Sequence, residues 1–366
     1  MFAPRKASRI GTTPFLLTTL ILHAAFPAHA NPGGFSIPIS ITDLTPRSVE
    51  YAFSRSGSQV EHLTYPFGPG VPPPANLRTI PEHPLSELRF SVIADSQGDA
   101  YDGRWVTGAI ETNWSDFVIH AGDVVAHGND LGEWARYFDA MKDLVQTRFV
   151  ATAIGNHDYD QFEDSAPGGW RTKPTAGIWD ALYHHRRWRT IEYPQLILYL
   201  IDSNLHSMPE SAWQEQLAWL HDELRKPDPG NRIRLAAFHH PPFAQSVHNW
   251  DAIRKSENQP HEYLRLQTEV VPLLEKFGVS VAFNGHAHHF ERSEKAGVTY
   301  LTAGAINTLR MLPAVPKTLH DNVYSKKVVT LQWTITHCTL QPTLRLLVCR
   351  TENRNRVELD RFRVTY

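Results

Sequence analysis

The sequence predicts an α/β layered domain, on three observations. Short apolar runs of strand length alternate with amphipathic helical patterns from Leu88 onward. Hydrophobic residues make up 42% of the 366-residue chain and charged residues 20%, so it can bury a sizeable core and is not disordered. Asp, Asn and His gather at the ends of the apolar runs, the place where open α/β sheets bind ligands. The length allows one large domain or two ordinary ones. A net charge of −2 excludes a strongly basic, nucleic-acid-coating protein, and two cysteines exclude a disulfide-dense scaffold or a Cys₄ metal site. The 20 histidines draw attention to where they fall.

Residues 1–30 read as a secretory signal peptide. Arg5, Lys6 and Arg9 precede a mostly apolar stretch from Phe15 to Phe26, too short to span a bilayer comfortably. Ala28-His29-Ala30 fits a small-x-small cleavage pattern, with cleavage after Ala30. Removing the three positive side chains takes the net charge from −2 to −5. The expected mature protein is secreted or periplasmic, free of the membrane, with Cys338 and Cys349 in a compartment that permits a disulfide. Those cysteines flank Gln341-Pro342-Thr343, a turn signal between two β-rich runs. About that turn they fall on neighbouring strands without being squarely opposed, and a disulfide and two buried thiols are both open readings.

Residues 31–87 read as a β and loop extension, with strands at Phe35–Ile41 and Val49–Phe53 and a Pro-rich linker at Pro66–Pro74. Strands follow at Leu88–Ala94, Phe117–Ile119, Arg148–Ile154, Leu196–Ile201, Ile233–Phe238 and Val279–Phe283. Helices are expected over Leu131–Val145, Ser211–Leu224 and Glu262–Phe277; Trp213, Leu217, Leu220 and Leu224 mark one face of the second. Runs at Lys327–Thr336, Leu344–Cys349 and Val357–Val364, with no helix between them, would extend a sheet at its edge.

Five strand ends carry the chemistry. They are Asp95-Ser96-Gln97, Gly122-Asp123, Gly155-Asn156-His157-Asp158, His239-His240-Pro241-Pro242 and Gly285-His286-Ala287-His288. Each alone has a plain alternative: a strand-terminal Asp is often a cap or turn former, and a lone His is more often packed than ligating. All five, in this order, resemble the calcineurin-like metallophosphoesterase superfamily, which includes purple acid phosphatases and related phosphodiesterases. The resemblance covers Leu88 to Ala305.

The resemblance implies a layered β-sandwich flanked by helices, α-β-β-α, with the short N-terminal β and loop extension before it. The core would occupy 88–320, with 321–366 adding C-terminal strands. It also implies two divalent metal ions (Mn, Fe or Zn). Asp123 would bridge them, Asp95 and His288 would hold the first, and Asn156, His239 and His286 the second. His157 would face the substrate and Asp158 would orient it. His240 would support the site. The expected partner is a small-molecule phosphate ester, mono- or diester, hydrolysed by attack of a metal-bound hydroxide. The alternative is a non-catalytic metal- or phosphate-binding protein on the same fold.

Two departures bear on that choice. Many members carry a His where this chain has Gln97, and purple acid phosphatases carry a Tyr where it has Ala126. Gln97 could ligate through its amide oxygen, through water, or not at all. The implied first metal is weaker or exchangeable, and iron-loaded protein should lack a violet tyrosinate colour. Specificity is expected from loops at Asp158–Ile178, Tyr183–Arg189 and Ala244–His261, through basic and aromatic residues such as Arg186, Arg187, His248, Trp250 and Arg254. The plainer reading of each is packing and pairing with surface acids.

Overall fold

A computed structural model describes residues 39–45, 47–54, 60–67, 70–97, 103–163, 170–184, 186–245, 262–307 and 322–366, all within one compact unit, 35–366. The expected signal peptide and His248, Trp250 and Arg254 lie outside the described residues.

The described residues open with three antiparallel strands, β1 (Ser40–Thr45), β2 (Ser48–Phe53) and β3 (Glu61–Pro66). Two larger sheets follow. Strands β4 (Leu88–Ile93), β5 (Phe117–His120) and β6 (Val150–Thr152) run parallel, each supplying a short apolar run. A two-stranded excursion, β7 (Gln161–Glu163) and β8 (Trp170–Thr172), leads to the second sheet. That sheet is built from β9 (Arg189–Glu192), β10 (Leu196–Leu200), β11 (Ile233–Ala237), β12 (Val281–Asn284), β13 (Phe290–Lys295), β14 (Val298–Ala303) and β15 (Ser325–Val329). Its order is β15-β13-β14-β12-β11-β10-β9. Then β16 (Thr334–Gln341), β17 (Leu346–Asn353) and β18 (Glu358–Thr365) return to the first sheet, giving β18-β17-β16-β4-β5-β6.

The two sheets face each other. Phe90, Val92, Phe117 and Ile119 of one share a buried cluster with Leu198, Leu235, Val281, Phe283 and Leu301 of the other. Residues of alternate parity on the same strands point outward. Ile93 and Val118 pack under helices α1 (Gly103–Thr112) and α2 (Leu131–Ala140), with the short α3 (Lys142–Val145) and α4 (Gly177–Tyr183) on the same side. Tyr199, Ala236 and Ala282 pack under α5 (Glu210–Arg225) and the helical stretch beginning with α6 (Glu262–Arg265) and ending with α7 (Val271–Lys276). The result is the expected helix–sheet–sheet–helix layering. Strands such as β10 and β12 are buried along their whole length, as parallel strands covered on both faces must be.

Several expected elements change in detail. The Leu131–Val145 helix breaks at Met141. The Glu262–Phe277 helix contains a π turn at Leu266–Val270, just before Pro272, which has no N–H to give to a regular helical bond. Lys327–Thr336 is two strands on different sheets, because Leu331 is exposed and left-handed (φ 58°) and turns the chain between them. Helix α1 and the buried strand Val298–Ala303 are not among the expected elements. The cysteines are squarely opposed after all. The turn is a 3₁₀ segment, Pro342–Leu344, closed by a left-handed Arg345, so Gln341 pairs with Leu346 and Cys338 with Cys349. Those two cysteines form a disulfide.

Candidate metal centre

All five predicted strand ends converge, and they do so from two facing sheets instead of along one. Strands β4, β5 and β6 deliver Asp95, Asp123 and Asn156; β11 and β12 deliver His239, His286 and His288. The junction is held by backbone bonds. Asp95 N–H donates to Gly122 O and Ser96 N–H to Asp123 O, 3.0 Å each, and His286 N–H reaches the Asp95 carboxylate at 3.0 Å. Close approach is essential at Gly155, where an added Cβ would lie 2.2 Å from both the N and Oδ1 of Asp123.

Two sets of potential ligand atoms result, each within a sphere suited to one cation: Asp123, His239 and His286, and Asp95, Asp123 and His288. Asp123 belongs to both. In the first set His239 Nε2 stands 3.1 Å from Asp123 Oδ2, and His286 Nδ1 stands 3.3 Å from His239 Nε2 and 3.0 Å from Asn156 Oδ1. In the second, His288 Nε2 is 3.5 Å from Asp95 Oδ1. Gln97 Nε2 lies 3.3 Å from His288 Nε2, and Gln97 Oε1 is buried with no partner. A buried amide oxygen without a partner, beside two candidate ligands, fits a group that can turn its oxygen toward a cation. The donor chemistry, imidazole with carboxylate and amide oxygen, suits divalent first-row metals. His239 Nδ1 is 2.9 Å from Ala121 O, which fixes the tautomer that leaves Nε2 as the ligand atom.

The electrostatics follow from burial. Burial works against the Asp123 carboxylate, but the His239 and His157 imidazoles outweigh it and hold its pKa below the usual range. Burial also works against protonated His239, and Asp123 reverses that, raising it to about 9. Asp158 is raised to about 8, by burial first and then by the Asp123 charge.

The hydrogen bonds of the Asp158 side chain run to backbone groups. Its carboxylate accepts backbone N–H groups from Asp123 (3.1 Å), Val124 (2.8 Å), Val125 (3.2 Å) and Gly155 (2.8 Å), tying the β5 and β6 loops together. The His157 imidazole is set by Ala126 O, 2.8 Å from Nδ1, and its backbone N–H donates to Asp123 Oδ1 at 2.8 Å. His240 is held by Ser203 Oγ at 3.0 Å and its ring lies 4.4 Å from that of His286.

A sixth strand end supports the others. After β10, Asp202 accepts a bond from the Tyr159 hydroxyl, Asn204 Nδ2 donates to Ile154 O at 3.0 Å, and Ser203 is the His240 partner. The same signal could have found it: an apolar run, Leu196–Ile201, ending in Asp-Ser-Asn. In the expected specificity loops, Arg186 pairs with Asp43 at 2.8 Å and Arg187 with Asp180 at 2.7 Å, so both bind protein carboxylates.

The family model for calcineurin-like phosphoesterases matches residues 88–290. A curated protein of Arabidopsis thaliana called probable inactive purple acid phosphatase 27 is 24% identical over 187 residues, which are 49% of this chain and 29% of that protein. The chain therefore spans under a third of that relative's length. The purple acid phosphatase PPD1 of yellow lupin seeds aligns with TM-score 0.62 and 14% identity, over 87% of this chain and 60% of that one. PhoD aligns with TM-score 0.53 and 11% identity, over 88% of this chain and 78% of that one. At these identities the structural likenesses speak for the fold alone.

Proposed function

The chain belongs to the calcineurin-like phosphoesterase family, and from that premise we propose that it is an exported hydrolase of phosphate mono- or diesters that works with two divalent metal ions. The observation that carries this reading is the pair of ligand sets sharing Asp123, with His157 beside them. Asp95, Asp123, His288 and the Gln97 amide oxygen would hold one ion, and Asp123, Asn156, His239 and His286 the other. When bound, such ions supply positive charge that activates water and offsets charge on the phosphoryl oxygens.

The chain's own groups do the rest. His157 keeps its hydrogen on Nδ1 toward Ala126 O. Nε2, once protonated, is then the nitrogen that donates to a phosphoryl oxygen or gives its proton to the leaving oxygen. Asp158 acts through the loops it ties together and is a positioning residue. His240 braces His286. The Cys338–Cys349 disulfide supports export, since such bonds persist in oxidising compartments. No helix among the described residues is long and apolar enough to cross a membrane.

The second reading, a non-catalytic metal or phosphate binder, is favoured by Gln97 and by the relatives called inactive. One assay separates the two. Metal-stripped protein is supplied with Mn²⁺, Zn²⁺, Fe²⁺ or Mg²⁺ and offered p-nitrophenyl phosphate and bis-p-nitrophenyl phosphate. Turnover should appear and fall by more than about 100-fold in Asp123→Ala, beyond the usual cost of losing a supporting residue. The better substrate decides monoester against diester. Folded protein that binds metal without turnover sinks the hydrolase reading in favour of the binder.

A further inference from the structure

The His157 imidazole rests on a backbone group, and that group is itself held from behind. His157 Nδ1 lies 2.8 Å from Ala126 O, which can only accept, so this bond fixes one edge of the ring. The Ala126 carbonyl and the His127 N–H belong to one planar trans peptide and point to opposite sides of it. On the far side that N–H donates to Glu133 Oε2 at 2.9 Å, and the Ala126 N–H donates to the same oxygen at 2.8 Å. A carboxylate of α2 thus grips the peptide whose carbonyl receives the imidazole. Gln161 Nε2 adds a brace, donating to Ala126 O at 2.9 Å and to His157 O at 3.0 Å.

The start of the helix does not explain Glu133. Asp130 is the N-cap, and its carboxylate accepts from the Gly132 and Glu133 N–H groups at 2.7 and 3.2 Å. In a capping box the third helical residue, here Glu133, reaches back to the N–H of the N-cap. That N–H already donates to His127 O at 2.9 Å. The Glu133 carboxylate reaches past it, into the loop after β5. Its other oxygen lies 2.7 Å from Nδ1 of the exposed His127 ring. Ala126 has no polar side chain, so its peptide groups are all it offers the site. Two N–H groups on one carboxylate oxygen fix the plane of that peptide. They also make its carbonyl a stronger acceptor, because linked hydrogen bonds polarise one another.

We propose that Glu133 is a positioning residue for the hydrolysis, and that through the peptide between Ala126 and His127 it holds His157 in the orientation that presents Nε2 to the substrate. The proposal rests on the hydrolase reading of the site.

The test is a double-mutant cycle on kcat in the full chain, with Glu133→Ala, His157→Ala and the double variant. Each is loaded with the metal that serves the parent best, assayed for bound metal and offered the parent's better p-nitrophenyl substrate. Glu133→Ala should lower kcat by about 10–100-fold with metal content unchanged, the usual cost of losing a supporting partner. In the His157→Ala background the same substitution should change kcat by less than about 2-fold, because the group it acts through is gone. Glu133→Gln keeps an oxygen for the two N–H groups but not the charge, so its loss should be smaller and equally absent without His157. That second cycle decides if the alanine variant fails to fold. Losses that multiply, the same in both backgrounds, would show that Glu133 only stabilises the loop and would overturn the proposal. A folded Glu133→Ala variant with parental kcat, or one whose loss follows lost metal, would overturn it too. A parent without turnover would overturn the hydrolase reading and this proposal with it, whereas multiplying losses overturn this proposal alone.

Discussion

Four candidate ligand residues hold their backbones in the left-handed region: Asp95 (φ 50°), Asp123 (φ 57°), His286 (φ 68°) and His288 (φ 55°). An L-residue pays roughly 1–2 kcal/mol for that conformation. The reversal turns each side chain off the end of its strand into the gap between the sheets, so local strain is exchanged for convergence. This gives a prediction in which stability and function move in opposite directions. His286→Gly should raise the unfolding free energy of the metal-free protein by about 1 kcal/mol in urea denaturation, because glycine adopts this conformation without penalty. The same change should abolish turnover. A destabilised variant would mean that the imidazole's bond to Asn156, 3.0 Å long, outweighs the backbone term.

At the scale of elements, the C-terminal hairpin is fixed by both covalent and charged contacts. The disulfide joins directly paired positions of β16 and β17. Glu352 on β17 is buried and accepts from Arg350 at 2.7 Å and Arg356 at 2.6 Å. Burial opposes its charge, but His337 and the two arginines outweigh it and lower its pKa to about 2. A carboxyl depressed in the folded state adds stability that is fully present above its ordinary value of about 4.3. That stability is lost as pH falls toward 2. Glu352→Gln should therefore lower Tm at pH 6, and the gap from the parent should close as pH drops from about 4.5 to 2. A gap independent of pH would show that packing, and not charge, is what the substitution removes.

At the scale of the whole molecule, the N-terminal strands are part of the main core. Ile41, Leu44, Val49 and Tyr51 share the buried cluster that contains Phe90 and Phe117. Leu44, 1% exposed, tests this. Leu44→Ala should cost about 2–5 kcal/mol, as buried leucine truncations do, and calorimetry should still show a single transition. A separate early transition would mean that the N-terminal sheet unfolds on its own.

The sequence by itself determined the layer class and the composition of the site. Strand-length apolar runs ending in Asp, Asn or His are local patterns, and Asp95, Asp123, Asn156, His239, His286 and His288 are legible because each sits within a few residues of the run that carries it. The tertiary structure alone decided what those residues meet. Which sheet a strand joins depends on pairings between distant positions, so the division of Lys327–Thr336 between two sheets was not readable along the chain. Asp158 tells the same story. Its neighbour in sequence is His157, yet its carboxylate serves the Asp123 loop, because four unpaired N–H groups converge there once β5 and β6 lie side by side. Glu50, His62 and His184 carry no motif. Glu50 and His62 meet through the pairing of β2 with β3, but His184 reaches Glu50 only when the N-terminal sheet docks, and hydrophobic burial drives that docking without reference to spacing in the chain.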